Sequence, residues 1–100
     1  MITHVVVFWT DKPMGEDRKK LLQGASELLA DIPGVRNFRV GPAMASPRAV
    51  VDDSFAVALC MDFDTREELE AYAEHPGHQR FVADYVKPLG KRMVVYDIES

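Results

Sequence analysis

The sequence predicts a single α+β domain in which helices pack on one face of an antiparallel sheet. Three observations support this fold class: apolar strand-like runs near both termini and before residue 63, two segments with helical spacing of apolar residues, and turn-forming residues between them. The chain has 100 residues, of which 47% are hydrophobic and 28% are charged, the balance of a globular protein. One domain, residues 1–100, therefore accounts for the whole sequence.

The first strand is predicted over residues 2–9, where β-branched and aromatic side chains dominate. Its alternation defines two faces that are both apolar enough to be buried. These faces consist of His4, Val6 and Phe8 on one side and Val5, Val7 and Trp9 on the other. Apolar residues at helical spacing then predict a helix over residues 16–31, which ends at Pro33-Gly34.

The middle of the chain supplies two further strands. Residues 35–40 predict a short strand whose arginines favour the edge of a sheet. The connection over residues 41–53 is rich in Gly, Pro and Asp, and it is long enough for a flap that could close over a site. The continuous apolar run within residues 54–63 is typical of a central strand that is covered on both faces.

The last part of the chain predicts a second helical segment and a final strand. Thr65 and Glu68 have the spacing of a capping box at a helix start. Pro76 interrupts this helix, which then continues to Pro88, and residues 92–98 form the last strand. The order β-α-β-β-α-β is the ferredoxin-like arrangement, with a four-stranded antiparallel sheet.

This arrangement leaves one face of the sheet without helices, although the first and third strands are apolar on both faces. A second copy, packed face to face about a two-fold axis, would cover the open face and enclose a chamber between the two sheets. A short chain also gains stability from such additional burial. We therefore expect an obligate homodimer.

Charge and cysteine content exclude several classes of protein. Sixteen acidic and twelve basic residues give a net charge of −4, which is unfavourable for binding nucleic acid. No segment approaches the roughly 20 apolar residues that span a bilayer, so no membrane partner is expected. Cys60 is the single cysteine, which excludes an intrachain disulfide and favours a reducing cytoplasm. Glycine-rich nucleotide-binding motifs and the G-x-S-x-G motif are missing.

Side chains suited to proton transfer are concentrated in residues 68–78, around the helix break at Pro76. His78 falls in the first turn after the break, where the helix dipole disfavours an imidazolium and leaves a neutral base. His75 precedes the proline, and we expect it to be mainly structural.

Other interpretations of these residues stay open. His4 on an apolar strand face is commonly a satisfied interior histidine, and Tyr72 at helical spacing is commonly part of a core. Three imidazoles, those of His4, His75 and His78, could form an open zinc site. However, Pro76 breaks the helical register that would align two of them, so we expect neither a metal nor a cofactor.

Several motifs along the chain occur together in one known family. They are His4-Val-Val-Val-Phe8, Ile32-Pro-Gly-Val35, Tyr72, His75-Pro-Gly-His78, Phe81 and Val86-Lys-Pro88. Through them the chain resembles the stress-responsive α/β-barrel (Dabb) family over nearly its whole length. The resemblance implies a dimeric α/β barrel. It also implies that main-chain carbonyls in residues 29–35 could hold a cation.

Most members of that family have no established activity, but the best-understood plant members are cofactor-free cyclases that close a linear polyketide by aldol chemistry. The residues that line their pocket correspond here to His4, Tyr72 and His78. We therefore expect a homodimer whose apolar inter-sheet pocket admits a small carbonyl-containing molecule, with His78 as the base and the other two side chains as polarising partners. The alternative is a non-catalytic ligand-binding or stress-associated protein. Fold analogy alone adds a cofactor-independent monooxygenase or haem-degrading enzyme.

Overall fold

The computed structural model describes residues 1–100 and shows a four-stranded antiparallel sheet with helices on one face. In chain order the elements are β1 (Ile2–Thr10), α1 (Glu16–Leu28), β2 (Arg36–Pro42), β3 (Val57–Phe63), α2 (Arg66–Glu74), α3 (Pro76–Phe81), a π-helical turn (Val82–Val86), α4 (Lys87–Leu89) and β4 (Gly90–Glu99). The strand order in the sheet is β2-β3-β1-β4, and every neighbouring pair is antiparallel. The predicted ferredoxin-like fold is confirmed.

Element boundaries differ from the predicted ones where turns replace regular structure. Helix α1 ends at Leu28 rather than at residue 31, because the chain turns through Gly34 with φ of 93° before β2. Strand β3 begins at Val57 rather than at residue 54, so the connection after β2 runs over residues 43–56. Ser54 is held outside the strand, since its hydroxyl accepts from Trp9 Nε1 at 2.9 Å and its amide donates to the Asp52 carboxylate.

The second helical segment is divided at His75, as the position of the proline predicts. Thr65 caps the start of α2, where its hydroxyl accepts from the Glu68 amide at 3.2 Å. His75 leaves the helical conformation with ψ of 140°, and Pro76 then opens α3. The imidazole Nδ1 of His75 accepts from the Gly77 amide at 3.0 Å. The structural role expected for His75 is thus observed, at the start of α3 rather than at the end of α2.

The π-helical turn packs closely against α1. A Cβ atom on Gly24 would lie 2.7 Å from the ring of Tyr85, so only glycine permits this approach. Tyr85 in turn stacks on Phe81, with ring centroids 5.8 Å apart. This contact fixes the helical layer over the sheet and holds Val82 and Val86 above the strands.

The two faces of the sheet differ in burial. Strand β1 alternates between buried and partly exposed residues along its length. Val6 and Phe8 are buried beneath the helices, whereas Val5 and Val7 lie on the opposite face and are partly exposed. Strand β3 is central, as predicted, and so is β1. Within one subunit the helices cover one side of both strands, while on the other side Trp9 contacts Ser54 and Phe55 of the connection after β2. The helix-free face is therefore the surface that remains to be covered.

Candidate active site

A cavity of about 210 Å³ lies between the sheet and the helical layer. Ten of its twelve lining residues are hydrophobic, and the two remaining ones are His4 and His78. The apolar wall comes from both layers and consists of Val6, Phe8, Leu29, Leu59, Tyr72, Phe81, Val82, Val86, Met93 and Val95. An apolar cavity with a few convergent polar groups is the usual form of a small-molecule site.

The structure brings the three predicted site residues together in this cavity. His4 projects from β1, Tyr72 from α2 and His78 from the first turn of α3. The ring centroid of Tyr72 lies 5.8 Å from that of His4 and 4.8 Å from that of His78, in edge-to-face geometry at both contacts. The tyrosine therefore stands between the two imidazoles.

The location of this cavity corrects the expectation of a pocket between two sheets. His4 shares its face of β1 with Val6 and Phe8, and this face points towards the helices. Tyr72 and His78 can reach His4 only from the helical layer. The expectation placed the pocket on the wrong side because strand alternation separates two faces without saying which one the helices will cover.

Asp97 is a site residue that the sequence did not reveal. It stands directly opposite His4 in the antiparallel pairing of β1 with β4, and its carboxylate lies 2.5 Å from His4 Nδ1. The His4 side chain is 11% exposed, whereas that of Asp97 is 47% exposed. On its outer side Asp97 borders a polar groove with Arg66 and Glu99, which form a bidentate ion pair. The sequence shows an acidic residue in the last strand, but the contact of this residue with His4 depends on the pairing of strands from opposite ends of the chain.

The hydrogen bond to Asp97 defines the role of each nitrogen of His4. A carboxylate accepts, so Nδ1 must carry the proton that it donates. In the neutral ring Nε2 is then left without a proton and can accept one. The carboxylate would also stabilise the positive charge that develops when Nε2 is protonated.

Burial sets the protonation states of the other two groups. Burial raises the pKa of the Tyr72 hydroxyl above its ordinary value, so at neutral pH it remains a proton donor. Burial lowers the pKa of His78, a hydrogen bond to the Ala73 backbone opposes this shift, and the nearby charge of His4 adds to it. His78 is therefore a neutral imidazole at pH 7, and burial rather than the helix dipole is the main cause.

The structure does not support the alternative of a zinc site. No group of three or more His, Cys, Asp or Glu side chains is placed to hold a metal ion. His75 is directed to the Gly77 amide instead.

The main-chain carbonyls that could hold a cation lie near the end of α1. Two of them, those of Leu29 and Ile32, accept hydrogen bonds from the amides of Ile32 and Val35. No helix in the structure combines the length and apolar character needed to cross a bilayer.

Solved structures with the same fold come from bacteria and plants. A Dabb family protein with a ferredoxin-like fold from Mesorhizobium loti MAFF303099 is 27% identical with a TM-score of 0.82, and the match covers 99% of this chain and 95% of that chain. A dimeric ferredoxin-like protein of unknown function from Thermobifida fusca YX is 25% identical with a TM-score of 0.77, covering 99% and 90%. A hydroxynitrile lyase from Passiflora edulis shares the fold at 17% identity and a TM-score of 0.75, covering 97% and 90%.

The family match extends over almost every residue of the chain. Residues 2–100 match the stress-responsive A/B barrel domain (Dabb). No curated protein matches the sequence. The motifs around His4, Tyr72 and His78 that carried the resemblance now lie around one cavity of the expected fold. This protein therefore belongs to the Dabb family.

Proposed function

We propose that this protein is a homodimeric, cofactor-free acid/base enzyme that acts on a small apolar molecule carrying carbonyl groups. The observation that supports this proposal is one cavity in which two imidazoles flank a tyrosine while most of the wall is apolar. An apolar wall binds the carbon skeleton of a substrate. The polar groups are confined to the region where proton transfer would take place.

His78 is the base in this proposal. Its lowered pKa keeps the imidazole neutral at pH 7, and a neutral nitrogen can take a proton from carbon next to a carbonyl. The electron pair of that C–H bond moves towards the carbonyl, which becomes an enolate. The proton is held on His78 while the enolate reacts.

Tyr72 stabilises the enolate in this proposal. Its hydroxyl stays protonated because burial raises its pKa, so it can donate a hydrogen bond to the developing oxyanion. The enolate carbon then attacks a second carbonyl of the same molecule and forms a C–C bond. The new alkoxide takes the proton back from His78, which balances the aldol-type cyclisation. The reverse sequence is a lyase reaction.

His4 supplies a second imidazole, which is held by a hydrogen bond to Asp97. Asp97 holds its Nδ1 proton, so Nε2 is available to accept a proton or, when protonated, to donate to a carbonyl oxygen. Two imidazoles in contrasting surroundings can divide acid and base roles between them. We assign His4 to polarisation of the carbonyl, with Asp97 as its positioning residue.

The dimer in this proposal is formed by the helix-free face of the sheet. That face presents Val5, Val7 and Tyr96, and Tyr96 is 57% exposed in the single subunit. Ferredoxin-like proteins of this shape from Thermobifida fusca and Bacteroides fragilis are described as dimeric. Face-to-face packing would remove this apolar surface from water. The single unpaired Cys60 is compatible with a cytoplasmic location.

Turnover by matched variants tests the chemistry. Linear polyketide-like compounds, aromatic β-dicarbonyl compounds and mandelonitrile form a suitable substrate panel. For a compound that the wild type converts, His78→Ala should lower kcat about 10²-fold or more, since it removes the base. Tyr72→Phe should also lower kcat about 10²-fold, because it removes the hydrogen-bond donor to the oxyanion. Tyr85→Phe, which removes a hydroxyl from a tyrosine that does not line the cavity, is the matched control and should leave kcat unchanged.

Non-catalytic binding is the second candidate function. It is favoured by the apolar wall of the cavity and by the complete pairing of buried polar side-chain atoms, none of which lacks a partner. Tight binding without turnover, or equal turnover by the wild type and His78→Ala, would contradict the enzyme and favour a binding protein.

A further inference from the structure

Strand β4 is the least covered part of the cavity wall. Met93 and Val95 belong to that wall, yet they are 51% and 43% exposed. On the opposite face of the strand, Tyr96 and Ile98 are 57% and 54% exposed. Because β4 is an edge strand, its outer backbone groups also lack a strand partner. The mouth of the cavity therefore lies along an apolar edge that its own subunit leaves uncovered.

The connection after β2, which we call the arm (residues 43–56), carries exposed apolar side chains of its own. Met44 and Val50 are 80% and 79% exposed. Local hydrogen bonds give the arm a defined shape: the Ser46 amide donates to the Asp53 carboxylate at 3.0 Å, and the Val51 amide donates to the Arg48 carbonyl at 3.0 Å. Apolar side chains on such a shaped projection are characteristic of a contact surface.

The register of the sheet places the arm and the cavity mouth at the same end of the molecule. Pro42 pairs with Val57, Val57 with Phe8, and Phe8 with Met93, so these four residues form one row across the sheet. The arm begins immediately after this row. Met93 occupies the other end of the row, at the opposite edge of the sheet.

Two-fold symmetry would bring the arm and the mouth together. When two sheets face each other about an axis parallel to the strands, each row keeps its height and the β2 edge of one subunit meets the β4 edge of the other. Strands β2 and β4 run in opposite directions, since β2 and β1 are both antiparallel to β3 and β4 is antiparallel to β1. The two edges can therefore approach as antiparallel neighbours.

The charges of the two surfaces are complementary. The arm carries Asp52 and Asp53 against the single cation of Arg48. The chain around the start of β4 carries Lys87, Lys91 and Arg92. Within its own subunit Lys91 pairs with Asp11, and Arg92 lies over the Trp9 ring and acts on Asp52. Lys87 forms no ion pair in its subunit, so its attraction for the acidic end of the partner's arm would favour the register in which that arm lies at the start of β4.

We propose that the arm of each subunit passes around the β4 edge of the partner subunit and covers Met93 and Val95 there, with Met44 as the main apolar contact, and so completes the mouth of the partner's cavity. Each site of the dimer is then built from two chains. This inference rests on the homodimer of the proposed function, but it does not depend on the reaction.

Cysteine cross-linking tests the contact directly. In a Cys60→Ser background, Met44→Cys combined with Met93→Cys should give a covalent dimer under mild oxidation, seen on non-reducing gels. The matched control combines Met44→Cys with Ile98→Cys, because Ile98 has similar exposure but lies near the other end of β4. The control pair should remain uncross-linked, since disulfides require Cα atoms within about 7 Å.

Sedimentation of the unmodified protein separates the two ways in which this inference could fail. A monomer would overturn both the homodimer and the arm contact. A dimer that does not cross-link through residues 44 and 93, or that cross-links equally through the control pair, would overturn the arm contact alone.

Thiol labelling provides a second measurement that needs no disulfide. With Met93→Cys in the Cys60→Ser background, a maleimide should react several-fold faster when Met44→Glu is added, because a charged residue would no longer rest on the apolar mouth. Ile98→Cys is the control, and its labelling rate should not respond to Met44→Glu. Met44 is 80% exposed, so its replacement leaves the subunit fold intact. An unchanged rate at position 93 would contradict the proposal.

Discussion

The two faces of this sheet are similar in composition but differ in what they contact. The helix-facing side of β1 carries Ile2, Val6 and Phe8, and the helix-free side carries Val5 and Val7. The first side is buried by the protein's own helices, which also bring site residues towards it. The second side has no helix over it within the subunit, and there Trp9 contacts Ser54 and Phe55 of the loop before β3. Apolar strand residues therefore show that a face will be buried, while the topology of the chain decides what buries it.

The largest effect should come from opening the helix-covered side. Phe8 is 2% exposed, and its ring centroid lies 6.0 Å from that of Phe81. Phe8→Ala should lower the free energy of unfolding by about 3–5 kcal/mol, because it leaves a cavity beneath the helices. Urea unfolding at several protein concentrations measures this free energy, and the loss caused by Phe8→Ala should be the same at each concentration. Val7→Ala, on the other face, should lower the free energy of unfolding by less, and this loss should depend on protein concentration. The reverse pattern would contradict the division between the faces.

A charge on the helix-free side should separate the subunits. Val7→Asp should weaken the proposed dimer roughly 100-fold or more, because a carboxylate would be buried without a partner. Sedimentation velocity over a dilution series measures the dissociation constant. Far-UV circular dichroism over the same series should lose helical signal as the dimer dissociates if the dimer is obligate. If the variant stays dimeric at the wild-type concentration range, the interface lies elsewhere.

The imidazole of His78 should take up a proton only below its ordinary pH range. The pKa of His78 is lowered by burial and by His4, so NMR titration of its ring should give a midpoint below the ordinary value of about 6.5. His4→Gln removes the contribution of His4 charge and should move that midpoint upward. Because protonation favours the unfolded state, stability should be maintained above about pH 6.5 and fall as the pH drops towards the lowered folded-state pKa. A midpoint above 6.5 in the wild type would contradict this assignment.

The smallest effect should come from the cap of the helix that carries Tyr72. Thr65→Ala removes the hydroxyl that accepts from the Glu68 amide, and it should lower the free energy of unfolding by about 1 kcal/mol. Thr65→Ser keeps an acceptor and is the matched control. Urea unfolding measures both variants, and neither should alter dimerisation. Equal destabilisation by Ser and Ala would show that the hydroxyl is not the source of the effect.

Local patterns were sufficient to predict the elements and their order. β-branched runs, helical spacing and the capping residue Thr65 each depend on a few neighbouring residues. The triad of His4, Tyr72 and His78 followed from the family resemblance, and the structure places all three around one cavity. Their catalytic roles remain a prediction.

Features that depend on distant segments were not predictable in the same way. Asp97 reaches His4 only through the register of β1 with β4, which pairs residues from opposite ends of the chain. The placement of the cavity beneath the helices depends on which face of the sheet the helices cover. The late start of β3 depends on side-chain contacts of Ser54 with Trp9 and Asp52. None of these follows from periodicity alone.

The partial exposure of Asp97 has a consequence for how the site communicates with its surroundings. Its carboxylate touches an enclosed imidazole on one side and a water-accessible groove on the other. In the proposed enzyme, His4 would therefore exchange its Nδ1 proton with bulk solvent by a route that differs from the path taken by the substrate. A substrate that filled the cavity would not isolate His4 from solvent, because the imidazole would keep its contact with the outer groove through Asp97.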